Sequence, residues 1–149
     1  VAEGSVERID FRTTLIRRFD KAPIYVANSV LSDSEIINFS EMPFRRIRFH
    51  VGLVYQTTPE KILAIRKDIE EYIEKNKNLV DAKDQPSTIR VTNFNDSSID
   101  MLVNCFTKST QWQDFCVARE ELLLEIIEIV KRNGSDFAYP TQTIHLEKD

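Results

Sequence analysis

The sequence predicts an α+β protein in two parts, a small all-β unit ahead of a larger unit with the order β-α-β-β-α-β. Three observations carry this. Short apolar–polar alternations crowd residues 5–42, two long stretches place their apolar residues at helical spacing, and strand-like alternations flank each of those stretches. The second order is that of a ferredoxin-like split βαβ unit. The parts are expected at residues 1–44 and 45–138, with residues 139–149 as a separate terminal strand.

In the first part, Ile9, Phe11, Thr13 and Leu15 alternate with Asp10, Arg12 and Thr14, which predicts one half-buried strand over residues 9–15. A turn near residues 18–22 then leads to a second strand over 24–27, a hairpin that Asn28 and Ser29 end. Ser32, Asp33 and Ser34 mark another turn, residues 36–40 a short third strand, and Pro43 a break.

The second part opens with Ile47, Phe49, Val51 and Leu53 alternating with Arg46, Arg48 and His50, a strand with one wet face. Thr58-Pro59-Glu60 is a helix start: a capping hydroxyl, proline at the first helical position and an acid in the first turn. Ile62, Ile65, Ile69, Tyr72 and Ile73 continue it at helical spacing. Strands follow over 88–94 and 98–107, the latter with Ile99, Met101, Val103 and Cys105 on one face. A second helix over 113–132 turns Phe115, Ala118, Leu122, Ile126, Ile129 and Val130 inward, and Asn133-Gly134 stops it with a left-handed cap. Residues 142–146 form a short terminal strand behind Pro140.

The bulk properties exclude several classes. The 149 residues hold 3 Gly and 5 Pro among many large apolar residues, which excludes disorder as the dominant state. No apolar run approaches the roughly 20 residues of a membrane span, and no secretory signal is expected. A first residue of Val1 suggests a fragment of something longer. The net charge of −4 argues against a nucleic-acid binder held by bulk charge. Yet the charge is uneven: residues 1–56 hold 8 Lys and Arg against 7 acids, and the rest 12 against 17. Two cysteines, Cys105 and Cys116, are too few and too far apart for a disulfide framework or a zinc site, which suits a reducing setting.

Catalytic chemistry finds little to work with. Gly4, Gly52 and Gly134 cannot build a phosphate-cradling loop. His50 and His145 sit in separate strands and read as solvated or assembly side chains. Cys105 belongs to an apolar face, and Cys116, despite its place in a first helical turn, reads as a small hydrophobe. The helix acids read as solvated faces with i,i+4 partners. RNA-recognition modules share the β-α-β-β-α-β order, but residues 98–106 lack their glycine- and aromatic-rich signature. No enzyme, cofactor, metal or nucleic-acid partner is expected. A free-standing soluble module that binds a ligand or a partner remains the alternative reading at this point.

An ordered series of residues goes further. Gly4-x-Val6-x-x-Ile9, Arg12-Thr13-Thr14-Leu15-Ile16-Arg17, Asp20, Asn28-Ser29 and Ile36-Ile37-Asn38-Phe39-Ser40 resemble the soluble half of small-conductance mechanosensitive (MscS-like) channels. The likeness runs on through Arg45-Arg46, Gly52-x-x-Tyr55 and Phe137-Ala138-Tyr139-Pro140-x-x-x-Ile144, so it spans nearly the whole chain. The family usually has proline before the asparagine, where this chain has Ala27.

The resemblance implies the vestibule domain of a prokaryotic inner-membrane channel, on the cytoplasmic side. Gating helices would lie upstream and alone would touch the lipid bilayer. It implies an Sm-like first unit that forms a ring through intersubunit strands, an α/β vestibule wall with side portals, and terminal strands gathered into an intersubunit barrel. Self-assembly, typically as a heptamer, would place Asn28, Asn38, Phe39, Gln142, Ile144 and Leu146 at subunit interfaces. The permeating partners would be ions and small osmolytes released on hypoosmotic shock. Arg45, Arg46 and Arg48 fall where the family places its portals, and their charge would favour anions over about a Debye length, roughly 8 Å at physiological salt; the alternative is that they pair with acids of a neighbouring subunit.

Overall fold

The structure, a computed structural model, describes residues 3–142. The chain divides into two compact units, Val1–Glu41 and Met42–Asp149. Both contain antiparallel sheet, and the α+β expectation is borne out.

The first unit is a three-stranded sheet in the order β1 (Ser5–Ile9), β2 (Thr13–Arg17), β3 (Pro23–Ala27). The alternation over residues 9–15 is therefore not one strand. The chain folds back between Ile9 and Thr13, so Ile9 pairs with Thr14 and Phe11 stands at the tip, 98% exposed. Asn28 explains why it turns there. Its side-chain amide donates to the carbonyls of Asp10 (2.9 Å) and Phe11 (3.3 Å), its backbone N–H donates to Arg12 (2.9 Å), and its side-chain oxygen accepts from buried Thr14 (2.8 Å). A side chain remote in sequence thus satisfies the polar backbone of a three-residue turn. At the start of β1, a Cβ on Gly4 would stand 2.3 Å from the Arg17 carbonyl oxygen, so only glycine allows the two strands to approach so closely.

The hairpin of β2 and β3 forms as expected. Lys21 takes a positive φ of 72° to close it, and Asp20 accepts from the Ala22 N–H. Asn28 and Ser29 end β3 as expected, and they open a short helix, α1 (Asn28–Ser32), that the alternation does not announce. Beyond it the expectation fails, since residues 36–40 form no strand. Asn38 accepts from the N–H of Ser40 at 3.0 Å, an Asx turn that winds Phe39–Glu41 into a 3-10 helix. Ile36 and Ile37 are adjacent and both exposed, so the apolar signal there marks a surface.

The second unit follows its sequence closely. β4 (Arg45–Leu53), β5 (Thr88–Phe94) and β6 (Ile99–Thr107) form an antiparallel sheet in the order β4-β6-β5. Helices α2 (Pro59–Lys75) and α3 (Trp112–Arg132) pack with one face of that sheet in a single core. Thr58 caps α2 through its hydroxyl, which accepts from the Lys61 N–H. Every inward residue read for α3 is buried. Gly134, at φ 67°, donates to the Lys131 carbonyl and Ser135 to that of Val130, the paired bonds of a Schellman cap. Cys116 packs against the core as expected of a small hydrophobe. Leu79 and Val80, between α2 and β5, are core residues that periodicity missed, because they lie in a loop that pairs with the end of β6.

The fourth strand of the ferredoxin-like order is reduced to one bridge. Phe137 pairs with Leu53, Val54 donates to Asp136 and Ala138 donates to Gly52. In an antiparallel ladder the next donor would be residue 140, facing His50. Pro140 has no N–H to give, so pairing ends, and the Thr141 N–H turns to the Ser97 hydroxyl at 3.3 Å. Of the terminal strand expected over 142–146, Gln142 has no regular structure, and residues 143–149 lie outside the described residues.

Two measurements check this account. Leu122→Ala, in the core, is expected to cost about 2–5 kcal/mol, and Gly134→Ala about 1 kcal/mol through the strained φ, both read from denaturant midpoints. The Asp68 carboxyl on α2 accepts from Asn133 (2.9 Å) and Arg132 (3.3 Å), and these bonds hold it below its ordinary range. A depressed folded value adds stability above the unfolded value, and that stability is lost as pH falls through the folded one. The gap in stability between the parent chain and Asp68→Asn is therefore expected at neutral pH and should close in acid, below about pH 3.9.

Candidate functional site

The side of the second sheet that the helices leave open carries the candidate site. Alternation along β4 sends Ile47, Val51 and Leu53 to the core and Arg46, Arg48 and His50 to the open face, where all three are exposed. Their neighbours across the strand pair are Phe106, Asn104 and Leu102 of β6. Side chains two residues apart on a strand stand about 7 Å from each other. The fields of Arg46 and Arg48 therefore overlap at physiological ionic strength. Neither arginine makes an ion pair among the described residues. Arg90 of β5, by contrast, is turned back onto α2, 3.0 Å from Glu70.

The structure does not bring together the three arginines expected at a portal. Arg45 has the parity of the core residues. Its guanidinium lies over the rings of Trp112 (4.7 Å) and Phe115 (5.0 Å) in the first turn of α3, and it donates to the Thr110 carbonyl at 3.3 Å. That is a cation–π clamp where β4 meets the start of α3. Alternation along the strand separates it from Arg46 and Arg48, and the signal for this was already present in the sequence as the odd and even positions.

The expected interface residues also divide. Asn28 and Asn38 spend their amides within the chain, on the β1–β2 turn and on the Ser40 N–H and Glu41 carboxylate. Phe39 is exposed, and so are Val6, Ile9, Phe11, Ile36 and Ile37. Gln142 is exposed. Ile144 and Leu146 lie outside the described residues, as does His145.

For acid–base, nucleophilic or metal chemistry the arrangement offers little. Among the described residues no three His, Cys, Asp or Glu side chains gather as a metal site. Burial pushes the Cys105 thiol up to about 12, so it stays protonated and inert. The acids of α2 pair along the helix, Glu70 with Arg66 and Glu71 with Lys67 and Lys75, as solvated faces do. What the open face can do is attract anions and contact extended chains.

Comparison with known proteins gives concordant matches over both units. Residues 47–137 match the family described as "Mechanosensitive ion channel MscS, C-terminal", and residues 1–41 match "Mechanosensitive ion channel, beta-domain". The chain is 37% identical to the low conductance mechanosensitive channel YnaI of Escherichia coli over 97% of its own length. It is 35% identical to the small-conductance mechanosensitive channel MscMJ of Methanocaldococcus jannaschii over 99%. In each case it spans 41% of the relative. Among solved structures it resembles the closed-state crystal structure of Helicobacter pylori MscS, with a TM-score of 0.78 and 25% identity, covering 98% of this chain and 55% of that one.

The separation of Arg45 from its neighbours is open to direct measurement. Trp112 is the only tryptophan, so its fluorescence reports the clamp alone. Arg45→Ala is expected to shift Trp112 emission and to cost about 1 kcal/mol, whereas Arg46→Ala and Arg48→Ala should change neither.

Proposed function

The chain belongs to the MscS family of mechanosensitive ion channels, and on that footing we propose that it forms the cytoplasmic vestibule of such a channel. The observation that carries this is the match of both units, in order, to the two soluble parts of one channel family. No helix among the described residues is long and apolar enough to cross a membrane. The chain spans 41% of the two relatives named, and tension sensing and gating are assigned to the parts of such a channel that it does not cover. This part anchors the assembly and filters ions and osmolytes on their way to the pore during hypoosmotic shock.

Self-assembly, proposed as a heptamer from the family resemblance, draws support for association itself from the surface of the first unit. Among its described residues only Thr14, Leu15 and Ile16 are buried, while Val6, Ile9, Phe11, Ile36, Ile37 and Phe39 are exposed. So many exposed large apolar side chains on so small a unit support a surface covered by another chain. Phe39, with Ile36 and Ile37, is the interface candidate this favours, and Asn28 acts on it indirectly by fixing the turn that presents Phe11. Arg46 and Arg48 carry the anion preference, because they are exposed, close together and without acidic partners among the described residues. Arg45 holds the structure behind them.

Two experiments test these assignments. In the full-length channel, Arg46→Glu with Arg48→Glu is expected to lower the ratio of anion to cation permeability by about twofold or more, measured as reversal potentials under a salt gradient. An unchanged ratio would remove the two arginines from permeation. Phe39→Asp is expected to shift the full-length channel from its assembled form to smaller species on native gels, with the fold kept by circular dichroism.

A further inference from the structure

From the geometry of β4 we infer that its outer edge is a docking site for an extended acidic peptide segment, which adds to the sheet as a further strand. Val54 donates to Asp136 and Ala138 to Gly52, so even-numbered residues of β4 direct their backbone groups away from β6. Pro140 stops that pairing at Gly52. Among the described residues, the N–H and C=O groups of Arg46, Arg48 and His50 are thereby left as an unpaired row along a regular nine-residue strand.

Unpaired edges invite other strands, and proteins blunt them with bulges, charges or covering chain. The opposite edge of this sheet is blunted in that way. β5 carries a register shift between Val91 and Asn93, and its Arg90 wraps back to Glu70. β4 pairs with β6 without any register shift from Arg45 to Leu53. It has the regular, unbroken register that strand addition requires.

Charge selects the occupant. The side chains that flank the free row are Arg46, Arg48 and His50, all exposed on one face, and neither arginine has an acid of this chain within ion-pair distance among the described residues. A second copy of β4 added antiparallel about Arg48 would set arginine against arginine and Arg46 against His50, an unfavourable cross-strand arrangement. A strand with acidic side chains on that face and apolar ones on the other would instead pair each basic residue. It would also pack beside Phe49, which is half-buried at the same edge. The proposal concerns backbone recognition, and it stands or falls apart from the anion preference of the pore.

The test uses the 149-residue chain and a capped seven-residue peptide, Val-Glu-Val-Glu-Val-Glu-Val, labelled for fluorescence anisotropy. Two further peptides carry N-methyl groups on alternate amides, one set for each edge. The expected result is saturable binding that one methylated peptide loses at least tenfold and the other keeps. Amide hydrogen exchange should slow at Arg46, Arg48 and His50, with no change along β5. Arg46→Glu with Arg48→Glu should lose the acidic peptide at least tenfold and gain Val-Lys-Val-Lys-Val-Lys-Val, a charge swap that an unfolded variant could not produce. Equal binding of both methylated peptides would reduce the contact to side-chain charge and overturn the inference. So would the absence of binding, protection along β5 instead, or concentration-dependent protection of β4 without peptide, which would make the occupant a second copy.

Discussion

One-sided burial of strand β6 is the constraint on which the second unit depends. Its alternate residues Ile99, Met101, Val103, Cys105 and Thr107 are buried, and those between them are only half so. Each fully buried aliphatic side chain is worth about 1.5–3 kcal/mol relative to exposure. A one-residue slip of register would send the whole set to the wet face, so the pairing of β4 and β5 with β6 is fixed by the core and not by the turns. Helices α2 and α3 then have only one face to cover, and their apolar stripes, Ile65, Ile69 and Ile73 on one and Leu122, Ile126 and Ile129 on the other, meet it there.

The functional geometry is a by-product of that constraint. Because Ile47 must face inward, Arg46 and Arg48 must face outward, and Arg45 must share the core side. Three arginines in a span of four residues therefore do two different jobs. Two of them present charge on a face that no helix covers. The third has its charge stacked on aromatic rings, where it joins a strand to the helix that follows β6. The same parity turns the backbone of Arg46, Arg48 and His50 to the outer edge, so charge and groups unpaired among the described residues lie along one line.

The first unit shows where sequence reasoning fails and why. Period-two alternation over residues 9–15 is real, but alternation does not say whether the chain runs straight or doubles back, and Asn28, remote in sequence, decides that it doubles back. Ile36, Ile37 and Phe39 look like a strand because they are apolar. A strand needs a partner ladder, and Asn38 offers the backbone a local turn instead. Ile9 and Phe11 share the parity of buried Leu15 and yet stand exposed, and Ile36, Ile37 and Phe39 are surface as well. The arginines were legible as a charge cluster and partly legible in direction, since parity along β4 was visible in the sequence. The aromatic clamp on Arg45 was not legible, because Trp112 is 67 residues away in the chain.

By itself the sequence determined the elements of the second unit, their order and their inward faces. It also carried the ordered residues that mark the channel family. Those signals are local or periodic: a capping threonine before a proline, helical spacing of isoleucines, a glycine past the last turn of α3. Only the tertiary structure decided which elements close a sheet and which stop short. The fourth strand ends after one bridge because Pro140 falls opposite His50, a position that matters only once Phe137 has been set against Leu53. A missing N–H has no consequence until a particular carbonyl is waiting for it, and that pairing exists only in three dimensions.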